Sequence, residues 1–149
     1  MTMAVSYQAK IITLWAVFLL GTLFHTDLGL MPLFHSQNIA ISNADGTESI
    51  AWILWLMLGF FSVPMMAMVV PLFHDSKRYR KLHFGTTVFY SVMNLAHTIA
   101  DLLVKPIFWY QITLMVMLFL IGLLLNLVSF QWLQERSQER AERERQANW

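Results

Sequence analysis

The sequence predicts an all-α fold: an integral membrane four-helix bundle with the N- and C-termini cytoplasmic and a charged helical C-terminal extension. Three observations carry this. Four apolar runs are long enough to cross a bilayer, the chain is too poor in charge to cover a water-facing surface, and Lys and Arg gather on one side of the runs. Of the 149 residues 57% are hydrophobic and 13% are charged, and the mean hydropathy is +0.53. A soluble domain carries about 25% charge, so lipid is the solvent this surface suits.

A spanning helix needs about 20 mostly apolar residues, because the hydrocarbon core is about 30 Å thick and a helix rises about 1.5 Å per residue. The first run covers about 11–34. Lys10 followed by Ile11–Phe24 has the look of a secretory leader, but no small-x-small cleavage site follows and the run continues to about Phe34, which is how a retained helix reads. The second run, about 50–73, contains Pro64 and Pro71, expected to kink it. The third, about 82–104, is the least apolar. The fourth, about 107–130, follows a turn at Lys105-Pro106, proline being suited to the first turn of a helix.

These spans place the bundle in 1–134 and a charged cytoplasmic tail in 135–149, where Glu139/Arg143 and Glu142/Arg145 have spacings that support a helix. The connector 35–49 is polar with a turn at Asp45-Gly46, and 74–81 is a short basic loop. Lys10, the cluster Lys77, Arg78, Arg80 and Lys81, and the tail residues Arg136, Arg140, Arg143 and Arg145 fall on one side of four spans. Lys105 alone of the ten Lys and Arg falls on the other. That asymmetry sets the cytoplasmic side, with a bacterial inner membrane or an equivalent energy-transducing membrane as the expected location. Trp52, Trp55, Trp109, Tyr110 and Trp132 lie near span ends, where aromatic rings favour the interface.

Composition excludes several functions. A formal net charge of +1 gives no footprint for nucleic acid. With no cysteine there is no disulfide, thiolate metal site, Fe–S cluster, covalent c-type haem or cysteine nucleophile. No G-x-S-x-G, Walker loop or paired-carboxylate cleft is present, and nothing identifies a reaction. The ten methionines, among them Met65, Met66 and Met68, read as apolar filler. Pro-Leu-Phe-His occurs at the ends of the first two runs, 32–35 and 71–74, and reads as proline weakening a last turn before an interfacial histidine.

Ionisable groups at membrane depth are costly and mark functional candidates. They are His25 and Asp27 in the first run and His97 and Asp101 in the third. His25 lies 14 residues beyond Ile11 and His97 lies 14 beyond His83, so each is about 21 Å from the inner boundary. The two parallel spans therefore carry imidazoles at one depth, in the outer half of the bilayer. Tyr90, Asn94, His97 and Asp101 recur at helical spacing and form a polar stripe expected to face the first span. Asp27 points about 200° away from His25. His74 and His83 flank the basic loop and read as interfacial, where the basic cluster suits anionic headgroups.

Two histidines at one depth suit haem b for transmembrane electron transfer, with His25 and His97 as axial ligands and Asn94, Asp27 and Asp101 supporting them. Gly21, Gly29, Ala96 and Ala100 would leave room for the macrocycle. Alternatively, His25, His97 and Asp101 hold a divalent metal such as Zn²⁺, Fe²⁺ or Cu²⁺, or move a proton. In the third case no cofactor binds and the polar residues fix the bundle. The chain is then a non-catalytic accessory or assembly subunit of a larger membrane complex whose tail docks a partner, or a homo-oligomer.

Overall fold

The computed structural model describes residues 5–37 and 50–147 and, of 136–145 and 147, the backbone alone. The Asp45-Gly46 turn lies outside the described residues. Four helices follow in order: α1 (Tyr7–Phe34), α2 (Ala51–Phe73), α3 (Lys77–Leu103) and α4 (Trp109–Ala147). There is no strand among the described residues. α1, α2 and the Trp109–Glu135 part of α4 are long and apolar enough to cross a membrane, consistent with a membrane protein. α3, expected as a fourth span, has 27 residues but is too polar to qualify by composition. The cause is one face: Arg80, His83, Thr87, the adjacent pair Tyr90 and Ser91, Asn94 and Thr98 follow one another at steps of three or four, and all are buried. α3 thus turns its polar side inward and leaves apolar residues such as Val92, Leu95 and Ile99 exposed, as a lipid-facing helix does.

Local chemistry sets the helix ends. Ser6 Oγ accepts from Ala9 N–H at 3.3 Å and starts α1, and Ser76 Oγ accepts from Tyr79 N–H at 3.2 Å and starts α3. The Ser76 cap means that Lys77, Arg78, Arg80 and Lys81 lie in the first turns of α3, rather than in a loop, and the connector shrinks to 74–76. The Pro-Leu-Phe-His repeats close α1 and α2, with His35 and His74 at the C-cap of each.

α4 packs against both α1 and α3, and α2 packs against α1. The core joins Ile11, Trp15 and Phe18 of α1 to Tyr90 of α3 and Met115, Leu118, Leu125 and Trp132 of α4. Close approach depends on two glycines. A Cβ at Gly21 would run into the buried Leu118 side chain, and a Cβ at Gly122 would lie 2.9 Å from Ser91 Oγ. Small residues let helices approach where lipid gives no hydrophobic drive. Gly21 therefore makes room for Leu118. Ala96 and Ala100 are exposed, and a Cβ at Gly29 would lie 3.5 Å from Gln111 Nε2.

α2 is tied to α3 through its prolines. A proline lacks the N–H that would serve the carbonyl four residues back. For Pro64 that carbonyl is Phe60, and it accepts from the Tyr90 hydroxyl at 2.6 Å. For Pro71 it is Ala67, and it accepts from the Tyr79 hydroxyl at 3.2 Å.

At the same end, Arg80 is 5% exposed. Its guanidinium forks onto Asp75 at 2.7 and 2.6 Å, donates to Glu135 at 3.0 Å and to the Trp132 carbonyl, and stacks 4.7 Å from the Trp132 ring. The hydrogen bonds to Asp75 hold the guanidinium pKa above its ordinary value. One side chain thereby joins the connector, α3 and α4.

Candidate functional site

At the opposite end of α3, His97 and Asp101 stand one turn apart and meet His25 of α1. Asp101 Oδ2 lies 3.5 Å from His25 Nε2 and 3.7 Å from His97 Nε2. One ligand atom from each of the three residues falls within 4.8 Å of the other two. The imidazole centroids are 5.5 Å apart and the rings cross at 81°. The side chains are 14% exposed for His25, 25% for Asp101 and 55% for His97.

The N–O separations exceed ordinary hydrogen bonds of about 2.7–3.2 Å. They lie near the spacing of ligands that share one ion: at a tetrahedral angle, donors about 2.0–2.2 Å from a metal lie about 3.3–3.6 Å apart, a range that the His25 distance meets and the His97 distance slightly exceeds. Buried His25 Nδ1 and Asp101 Oδ2 have no hydrogen-bond partner, so the polar cluster is unsaturated within the chain. Three protein ligands leave a tetrahedral ion one open position.

Two cavities flank the cluster. One, of about 310 Å³, is lined by His25, His97 and Asn94 with Phe18, Phe60 and Met115. The other, of about 440 Å³, is lined by Asp101 with Gln37, Gln111 and Tyr110. Asn94 is buried, one turn below His97 in the first cavity; its Nδ2 reaches only Met115 Sδ at 3.9 Å, and its Oδ1 has no partner. Asp27 does not join the cluster and is exposed, as the roughly 200° offset from His25 requires. Of the five sequence candidates, the fold brings His25, His97 and Asp101 together, places Asn94 beside them and leaves Asp27 outside.

The expected stripe is displaced by part of a turn. Tyr90, Asn94 and Thr98 face inward, Asp101 is half-buried, and His97 stands at the edge of the face. His83, expected at the interface, is 1% exposed. Trp15 Nε1 donates to its Nε2 at 3.1 Å, and the rings of Trp132 and Tyr79 lie 5.7 and 6.0 Å away. A ring nitrogen that accepts from an indole N–H carries no proton, which leaves the proton on Nδ1. The signal for His83 is present in the spacing: it continues the stripe from Thr87 toward Arg80 at intervals of four and three. Trp15 leaves no such signal, being 68 positions away.

Comparison with protein-family models, curated proteins and solved structures returns no match.

Proposed function

We propose that this chain binds one divalent transition-metal ion through His25, His97 and Asp101, in the outer half of a bilayer that it crosses four times with both ends cytoplasmic. The observation that carries the proposal is the convergence of three donor atoms within 4.8 Å from two helices. Two imidazoles and one carboxylate suit Zn²⁺, Fe²⁺ or Cu²⁺, and an ion with an open position acts as a Lewis acid toward whatever occupies it. The inward polar face of α3 supports its role as the fourth span, and the nine basic residues on one side support the orientation.

Haem b between His25 and His97 is supported less well. Asp101 Oδ2 stands within 3.7 Å of both Nε2 atoms, so a porphyrin between the rings would require that carboxylate to move aside.

Elemental analysis of protein purified from metal-replete cells, followed by zinc titration, tests the proposal. The expected result is one ion per chain, with affinity at least tenfold lower in His25→Ala, His97→Ala and Asp101→Asn and unchanged in Asp27→Asn. Purified protein that neither carries nor takes up a metal ion overturns it. A Soret band that disappears in His25→Ala would give the site to haem. Because the chain has no cysteine, single cysteines placed at Ser36 and Gln146 report the topology: Ser36→Cys should label from outside and Gln146→Cys only after permeabilisation.

A further inference from the structure

We infer that the cavity of about 310 Å³ beside the histidines is a binding site for a lipid-soluble hydroquinone, a flat ring with hydroxyl groups drawn sideways from the bilayer. This rests on the metal reading for one contact only, that of a ring oxygen with the open position of the ion.

The walls set the shape of the occupant. Phe60, Phe61, Met57, Met93 and Met115 line the cavity, and aromatic faces and thioether sulfurs are the surfaces against which a ring packs well. A cavity of about 150 Å³ holds benzene, so this one has room for a substituted ring and the start of a tail. Met57 and Met93 are each 42% exposed. They form an exposed rim of the cavity on α2 and α3.

The polar end sets the chemistry. Asn94 is 6% exposed and its Oδ1 has no partner, while the thioether that faces its Nδ2 is a weak acceptor. Oδ1 therefore lacks a donor, and Nδ2 lacks a strong acceptor. A hydroquinone hydroxyl supplies both. The oxidised quinone and a fatty-acid carboxylate offer only acceptors, and the carboxylate would also bring a second negative charge toward Asp101. The site thus prefers the reduced form of the ring.

The test uses the full chain in phosphatidylcholine nanodiscs, with a naphthohydroquinone carrying one isoprene unit, kept anaerobic, and its quinone as probes. Binding is read by equilibrium dialysis against empty nanodiscs, with and without Zn²⁺. Saturable one-to-one binding is expected, at least fivefold tighter for the hydroquinone. Asn94→Leu should abolish that preference. Met93→Trp, which fills the cavity from its exposed rim, should abolish binding of both forms while zinc affinity stays unchanged. Partition equal to that of empty nanodiscs, equal affinity for the two forms, or displacement by dodecanoate at equal concentration overturns the inference. Zinc binding without hydroquinone binding overturns this inference alone. Hydroquinone binding without zinc binding supports the cavity site and overturns the metal reading.

Discussion

The Tyr90 hydroxyl donates at 2.6 Å to the Phe60 carbonyl, the acceptor that Pro64 leaves without a helical N–H. Tyr79 and Ala67 repeat the relationship at Pro71. A membrane interior has no water to serve an orphaned carbonyl, so each proline in α2 creates a demand that a tyrosine in α3 meets. The prolines act as docking points between helices as well as bends within one.

Tyr90→Phe should therefore destabilise the bundle by about 1 kcal/mol, the scale of interhelical hydrogen bonds in membranes. The loss should shrink toward zero in a Pro64→Ala background, where the restored backbone N–H serves the Phe60 carbonyl instead. SDS titration of the four proteins of this cycle measures the coupling. Equal losses in both backgrounds would mean that the hydroxyl stabilises the protein by some other route.

Two glycines, each inside a helix, should respond in opposite ways. At Gly122 an added Cβ lies 2.9 Å from Ser91 Oγ, whereas at Gly85 nothing lies within 4 Å. Ser91 has little freedom to yield, because it donates to the Thr87 carbonyl at 3.1 Å and accepts from Asn126 Nδ2 at 2.9 Å. Gly122→Ala should cost about 1–3 kcal/mol by overpacking. Gly85→Ala should be neutral or stabilise by up to about 1 kcal/mol through helix propensity. The same SDS titration decides, and two equal effects would refute the close α3–α4 approach.

The contrast between Gly122 and Gly85 shows where sequence reading stops. Apolar runs reveal the helices, because span length follows from bilayer thickness and is visible in composition. The shared depth of His25 and His97, and the i,i+4 pairing of His97 with Asp101, follow from helical rise and period. What stays hidden depends on pairs far apart in the chain. Trp15 meets His83 across 68 positions, and Arg80 meets Glu135 across 55. The basic run at 77–81 reads as a loop because its charges mask the helix, although Ser76 is a capping signal in plain view. The proline–tyrosine pairs are half legible: the orphaned carbonyls can be counted from Pro64 and Pro71, but not the donors that reach them.

Arg80 offers a test of the opposite end of the bundle. Arg80→Ala removes the cation between Asp75 and Glu135 along with its stacking on Trp132. The carboxylate side chains are 37% and 39% exposed, so water takes up part of the change. The expected loss is about 2 kcal/mol, short of the roughly 3–5 kcal/mol for breaking a fully buried pair. Arg80→Lys should recover less than half of it, since an ammonium has neither the fork nor the plane. Wild-type stability in Arg80→Ala would show that the network only decorates a helix junction already fixed by packing.

The proposed metal centre makes a prediction about protons whose sign follows from ligation alone. An imidazole nitrogen binds a metal through the lone pair that a proton would otherwise take. His25 and His97 each present Nε2 to the cluster, so protons compete with the ion at both. Affinity should be highest in mildly alkaline buffer and fall as pH is lowered, with protons released as the ion binds. His97→Ala should reduce that release, because it removes one of the two competing nitrogens, and Asp27→Asn should leave it unchanged. Calorimetric zinc titrations in two buffers of different ionisation enthalpy count the released protons directly. Affinity that does not change between about pH 8 and about pH 5, the range in which histidine normally changes charge, would show that the imidazoles are not the ligands. It would leave the His25–His97–Asp101 cluster as a polar contact between α1 and α3.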